Sequence, residues 1–417
     1  MLTALRSIAY DERTLFDELR EKEFARLDAD NQAYLDFTGS GLYAERQITA
    51  HAERLKRSVF GNPHSENGPS MMSTAIINDA KARLLGFLDA SREEYVVIFT
   101  ANTSAAIRLV AESHPFSATE GLALSADNHN SMNGIREFAR AKGAPIRYLP
   151  LDDELRLASP VSVLRGFAAG GLFAFPAQSN FSGVKHPLSL VCDAQRLGYT
   201  VLLDAAAFLP TNRLSLARHP ADFVALSLYK IAGYPTGVGA LVARRDSLAR
   251  LKRPWFAGGT VEYASVQHQT HMLIDRNGEG FEDGTPAFID IAAVADSLAF
   301  MDEIGMDRIN AHVAKHRSRF AAELNCMKNA HGRPLATVYG PRTSHGSGAT
   351  VAFNLVARDG RPIPFARVVE RARNEGVSLR GGCFCNPGAS EAAFRFPPDK
   401  TARCFARADV DGFSIDA

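Results

Sequence analysis

The 417-residue chain is poor in cysteine and has no excess of either charge. Its five cysteines, Cys192, Cys326, Cys383, Cys385 and Cys404, are too few and too scattered for a disulfide framework, which points to a reducing compartment. Lysine and arginine number 47 against 46 acidic residues, a net charge of +1, so nothing favours nucleic acid or an anionic membrane as a partner. Long apolar runs are missing too. The least polar window, residues 160–177, contains Arg165, Gly166, Gly170 and Gly171 and does not read as a membrane span. Arg6, Asp11, Glu12, Arg13, Asp17, Glu18 and Arg20 leave no signal-peptide core near the start, so a soluble cytoplasmic protein is expected. There is no internal repeat and no low-complexity tract.

Several chemical motifs are absent as well. Neither Gly-x-x-x-x-Gly-Lys-Ser/Thr nor His-Glu-x-x-His occurs, and Gly237-Val-Gly239 lacks the third glycine of a dinucleotide fingerprint. Ser227-x-x-Lys230 lacks the companion motifs of penicillin-binding enzymes. The stretch Asp275 to Gly280 imitates a calcium loop but places Pro286 at the twelfth position, so no metal is expected.

What is present is an ordinary globular composition, 46% hydrophobic and 22% charged, long enough to bury a large core. Short apolar runs at Tyr95–Phe99, Gly121–Leu124, Ile146–Leu149, Leu172–Phe175, Val201–Leu203, Phe223–Leu226 and Val238–Val242 predict strands. Helical patterns at 104–112, 131–142 and 187–197 lie between them. That alternation predicts an α/β fold, a doubly wound, mostly parallel sheet buried on both faces. The remainder predicts α+β: helices over 1–35 and 289–327, a strand at 349–355, a helix at 365–374 and a strand at 377–379. The expected division is an N-terminal segment 1–35 packing with the small domain, a large domain 36–288, and a small domain 289–417.

Ligands of open α/β sheets bind beyond the carboxyl ends of the strands. Those ends carry Thr103 and Ser104 at a helix start, His129, Asn180, Asp204, and Ser227 with Lys230. Each has a plain structural reading: helix caps for Thr103 and Ser104, a turn cap for Asp204, a surface or core histidine, a solvated lysine. Their convergence on one rim favours a pyridoxal phosphate site, which needs an amine for the aldehyde, an anion for the ring nitrogen, a phosphate cradle and a flat stacking partner. A second informative stretch is Arg380-Gly-Gly-Cys-Phe-Cys-Asn-Pro-Gly388. Its two cysteines, flanked by glycines, read as a mobile, accessible loop. They are either incidental or a reactive thiol favoured by Arg380.

These stretches resemble the class V aminotransferase family of fold-type I pyridoxal phosphate enzymes, and within it the cysteine desulfurases and the desulfurase domain of molybdenum cofactor sulfurases. The resemblance rests on Tyr34-Leu-Asp36, Gly61-Asn-Pro-His-Ser65, Asp127-Asn-His129, Pro176 to Gly183, Leu203-Asp-Ala-Ala206, Ser227 to Gly239, Gly258 to Val261, Phe281 to Thr285 and Gly382 to Ala389. It implies that Lys230 holds the coenzyme and moves protons, Asp204 pairs with the ring nitrogen, and His129 stacks on the ring. Thr103, Ser104 and Ser227 would bind phosphate, joined by Thr285 from the neighbouring subunit of a homodimer. Asn180 would lie near the coenzyme's phenolic oxygen and the substrate carboxylate. Cys385, with Cys383 as runner-up, would take sulfur from L-cysteine as a persulfide, release L-alanine, and pass the sulfur to an acceptor protein or small molecule.

The resemblance has departures. Ala207 stands where many desulfurases carry glutamine, and Ser390 replaces a frequent cysteine. No segment bearing the family's carboxylate-binding arginine is recognisable after the cysteine loop, which leaves Arg380 or Arg395 for that role. A separate molybdopterin-sulfurating domain is not present in the 417 residues, so a complete molybdenum cofactor sulfurase is not expected. The alternatives are an aminotransferase, an epimerase or a selenocysteine lyase of the same fold, or a non-catalytic scaffold.

Overall fold

The computed structural model describes residues 14–167, 170–274, 278–397, 399, 402 and 403. Seven strands form the central sheet: β1 (Tyr95–Thr100), β2 (Gly121–Ser125), β3 (Ile146–Leu149), β4 (Gly171–Pro176), β5 (Tyr199–Asp204), β6 (Phe223–Ser227) and β7 (Gly239–Arg244). Their order across the sheet is β1-β7-β6-β5-β4-β2-β3. All neighbours are parallel except β7, which runs antiparallel between β6 and β1. The expected fold is therefore found, with one reversed strand that apolar runs alone could not orient.

Alternate residues of each strand serve opposite faces, so a sheet covered on both sides needs apolar residues throughout. Val97, Phe173, Phe175 and Leu203 enter one core, whereas Ile98, Leu122, Leu172 and Leu202 enter the other. Thr103–Ser113, 11 residues long, covers the second core through Ile107 and Val110. Gly68–Phe87, Ser189–Arg196 and Val294–Ile304 cover the first. Ile291, Val294, Leu298 and Met306 join that first core, so packing runs across the expected division at 288/289.

The rest of the chain builds the rim. A helix, Met306–Cys326, backs the antiparallel pair Ala336–Tyr339 and Ala352–Leu355. Phe365–Asn374 leads into Val377–Ser378, which pairs in parallel with Ala33–Tyr34 near the other end of the chain. Of the helix expected over 1–35, residues 1–13 lie outside the described residues; Leu15–Glu23 and Arg26–Ala29 are helical. An exposed antiparallel hairpin, Val261–Ser265 with Thr270–Leu273, stands apart from the main sheet. Residues 275–277 of the calcium-loop imitation, with Cys404, also fall outside the described residues. Among the described residues no three His, Cys, Asp or Glu side chains could hold a metal ion, and no helix is long and apolar enough to cross a membrane.

Candidate active site

A cleft of about 510 Å³ opens at the carboxyl ends of the parallel strands. Thr103, Ser104, His129, Asn180, Asp204, Ala207 and Lys230 all line it, brought together from separate strand ends. Topology explains the convergence. Four parallel strands deliver their following residues to one edge, and β6 delivers Ser227 and then the short helix carrying Lys230.

The plain readings can now be decided. The helix Thr103–Ser113 is capped by Asn102, whose Oδ1 accepts from the Ala105 N–H at 3.0 Å. Neither Thr103 nor Ser104 is the cap. Thr103 Oγ1 is buried with no partner, and so is Ser227 Oγ. Ser104 Oγ meets Ser131 Oγ at 2.6 Å. Asp204 does cap a turn, since its Oδ1 accepts from Ala206 N–H at 2.9 Å, while the residue also lines the cleft. His129 Nδ1 accepts from Ser131 N–H at 3.1 Å, so the neutral ring carries its proton on Nε2. Burial pushes the His129 pKa below the usual range, opposed by Asp204 and reinforced by Lys230.

Lys230 is half-buried, and burial lowers its pKa first. Asp204 opposes that effect, Arg380 adds to it, and Cys385 and Asp36 oppose it. The amine, the thiol and the Arg380–Asp36 pair therefore share one electrostatic neighbourhood.

Cys383 and Cys385 are exposed free thiols, as expected for an accessible loop. The loop is pinned, however, where the sequence suggested mobility. Asn180 Nδ2 donates to the Phe384 carbonyl at 2.7 Å, and Asn130 N–H donates to the Cys385 carbonyl at 2.7 Å. Asn386 Nδ2 donates to the Asp127 carbonyl at 2.6 Å and to Asn180 Oδ1 at 2.9 Å. Asn386 also caps the helix Pro387–Phe394, and a Cβ on Gly388 would lie 2.0 Å from the Ala126 carbonyl oxygen. Only glycine lets that helix start lie so close to the sheet edge. Phe384 and Cys385 both adopt φ +56°, a left-handed conformation costing about 1–3 kcal/mol per residue that the hydrogen bonds offset. Below the loop, Asp127 Oδ2 meets His186 Nε2 at 2.9 Å, both fully buried.

Sequence reasoning singled out Asn180 for the coenzyme and substrate; here both its polar ends serve the cysteine loop. Asn386 and the Asp127–His186 pair were missed. The Asn-Pro start of a helix was the available signal for the former. Thr285 is exposed, outside the cleft, and its Oγ1 accepts from Asn62 Nδ2 at 3.2 Å. Arg380 stands at the rim in a bidentate pair with Asp36 at 2.7 and 2.8 Å. Arg395 pairs with Asp153 at 3.0 Å on the open surface.

The sequence pattern described as Aminotransferase class-V matches residues 33–404. The chain belongs to this family. The molybdenum cofactor sulfurase of Solanum lycopersicum is 34% identical over 407 residues, covering 89% of this chain and 50% of that protein. That of Drosophila pseudoobscura pseudoobscura is 36% identical over 411 residues, covering 89% and 51%. This chain thus spans about half the length of the curated relatives it matches. Among solved structures, an apo cysteine desulfurase from Thermococcus onnurineus NA1 superposes with a TM-score of 0.78 at 24% identity, covering 93% of this chain and 92% of that one. The cystine C–S lyase C-DES, solved with its product cysteine persulfide, gives 0.71 at 17%, covering 89% and 99%. At those identities the likeness is one of fold, that of the fold-type I enzymes.

Class V aminotransferases are pyridoxal-phosphate-dependent enzymes, and the residues here fit that coenzyme. The decisive observation is Thr103 Oγ1, buried and unpartnered in the cleft wall at a helix N-terminus; Ser227 Oγ, at the end of β6 and outside the cleft lining, is likewise buried and unpartnered. A buried hydroxyl without a partner is costly, and a phosphate at this helix start would satisfy Thr103. Lys230 would hold the aldehyde, Asp204 the ring nitrogen, and the neutral His129 would face the ring.

Proposed function

We propose that this class V enzyme takes sulfur from L-cysteine, carries it as a persulfide on Cys385 and releases L-alanine. The observation that carries this reading is an exposed thiol held, by hydrogen bonds to Asn180 and Asn130, at the mouth of the cleft that contains Lys230. The names of the relatives, sulfurases and desulfurases, support it.

Bound pyridoxal phosphate supplies an electron sink for negative charge at the substrate Cα. The chain's own residues do the rest. Asp204 would hold the ring nitrogen in its protonated form. Lys230, its pKa lowered by burial, is suited to remove the Cα proton once the substrate amine has taken its place. The Cys385 thiolate attacks the substrate sulfur, the Cβ–S bond breaks with its electron pair passing to carbon, and the sulfur stays on Cys385. Lys230 would return its proton to Cα, the proton given up by the Cys385 thiol would end on Cβ, and L-alanine would depart. The persulfide then faces solvent, open to an acceptor protein or small thiol. Arg380, paired with Asp36 at the root of the cysteine loop, would receive the substrate carboxylate.

We also propose a homodimer. Val59, Met71, Met72, Phe256, Tyr263 and Met272 are exposed, and an isolated two-stranded hairpin is marginal without cover. A second copy would cover this surface and bring Thr285 to its neighbour's phosphate.

The test is mass spectrometry of the coenzyme-loaded protein after L-cysteine. Added sulfur is expected on the peptide 381–388, lost in Cys385→Ala and kept in Cys383→Ala. Turnover in Cys385→Ala that depends only on a keto-acid acceptor would instead indicate an aminotransferase.

A further inference from the structure

Three residues in the cleft wall form a chain of hydroxyl and ring contacts that the coenzyme roles leave unexplained. Ser104 Oγ meets Ser131 Oγ at 2.6 Å, and Ser131 Oγ meets His129 Nδ1 at 3.1 Å. Ser131 also gives its backbone N–H to the same Nδ1 at 3.1 Å, which makes His129 the N-cap of the short helix Asn130–Asn133. Ser104 stands at the start of the helix Thr103–Ser113, beside the unpartnered Thr103 Oγ1. Asn102 takes the Ala105 N–H through its side chain and the Ala106 N–H through its carbonyl. The two N–H groups before those, on Thr103 and Ser104, have no acceptor among the described residues and suit an anion. The chain of contacts therefore runs from the phosphate end of the cleft to the imidazole.

A hydroxyl has one proton to give, so only one of the two serines donates to the other. With the helix start empty, Ser104 can donate to Ser131 and Ser131 to Nδ1, which then accepts two hydrogen bonds. Both bonds favour the neutral ring, because a protonated Nδ1 has no lone pair left to accept with. A phosphate on Ser104 reverses the order. Its oxygens are acceptors and draw the Ser104 proton towards them. Ser104 then accepts from Ser131, whose oxygen turns a lone pair to Nδ1. A proton arriving on Nδ1 meets an acceptor there in place of a second donor. Among the described residues Asp204 and Lys230 are the charged groups that act on this ring, and neither belongs to the hydroxyl chain.

We propose that Ser131 is a positioning residue that relays occupation of the phosphate end to His129, so that the ring takes up a proton more readily once an anion sits on Ser104. The relay rests on the coenzyme site and holds whether or not the reaction is a desulfuration.

NMR titration of the His129 imidazole in the full chain tests it, with the signal assigned by its loss in His129→Asn. The first probe is sulfate, which accepts hydrogen bonds and stays unprotonated throughout the titration. A second arm compares the chain loaded with pyridoxal phosphate and with pyridoxal, which share the ring and differ in the phosphate; it carries the test if sulfate does not bind. In both arms the anion is expected to raise the His129 midpoint by about one pH unit, the worth of one hydrogen bond gained by the charged ring. Ser131→Ala keeps the backbone N–H and the anion's charge but should lose about half of that rise or more. Ser131→Thr should keep the rise. Ser104→Ala should lose it to the same extent as Ser131→Ala, and decides the matter if Ser131→Ala does not fold. An equal rise in the wild type and both alanine variants overturns the proposal, since the anion's charge alone would account for it. No rise in the wild type with the anion bound overturns it as well.

Discussion

The two ends of the cleft handle their polar groups in opposite ways. At the phosphate end, Thr103 Oγ1 and Ser227 Oγ are buried and unpartnered. At the thiol end, Asn180 and Asn386 spend their amides on one another and on the carbonyls of Asp127 and Phe384. In the wall of a cleft an unpaired group marks where something from outside the chain can bind, because the protein alone leaves it costly. Paired groups mark where the chain must hold its own reactive atom still. One end is built to be completed and the other to stay as it is.

Lys230→Ala should break this contrast most severely. The covalent link to the coenzyme, read as the visible-edge absorbance band, should vanish together with turnover, while the unliganded fold persists. Asn386→Ala attacks the thiol end alone. It leaves the Asp127 carbonyl and Asn180 Oδ1 unsatisfied, so a stability loss of about 1–3 kcal/mol is expected in denaturant melts. The absorbance band should survive while sulfur loading of Cys385 falls at least about tenfold, since misplacement by about 1 Å can cost more than that. A band lost along with the sulfur would mean that the two ends are not separable. The smallest and sharpest effect is expected at the phosphate end. Thr103→Val removes a hydroxyl that costs the free protein, so the apo form should be stabilised by up to about 1 kcal/mol and the coenzyme-loaded form destabilised by a similar amount. Comparing the two thermal melts checks the crossing; loss in both forms would make Thr103 merely structural.

The sequence revealed these regions unequally, for physical reasons. Strands buried on both faces are continuous apolar runs, so their ends, and with them Thr103, His129, Asp204 and Lys230, could be located from the chain alone. The helix Gly68–Phe87 went unread because its buried face begins with Ser70 and Ser73 before Ile77, Ala80 and Leu84, and apolar periodicity is masked where small polar residues do the packing. Glu45–Arg57 buries Gln47 and His51, with the same result. Asn386 was visible as a residue but not as a brace, since its partners at Asp127 and Asn180 lie more than two hundred positions away. Asp36 and Arg380 are 344 positions apart, and no local pattern pairs them. The bracing of the cysteine loop was illegible for this reason: glycines describe what the backbone can do, and distant asparagines hold it.

The pairing of Ala33–Tyr34 with Val377–Ser378 sets an order on synthesis. Every group assigned to the coenzyme within one protomer, from Thr103 to Lys230, leaves the ribosome long before Val377. In the order of synthesis the pocket residues come first, and the thiol that would accept sulfur comes only after the stretch that returns to Ala33–Tyr34.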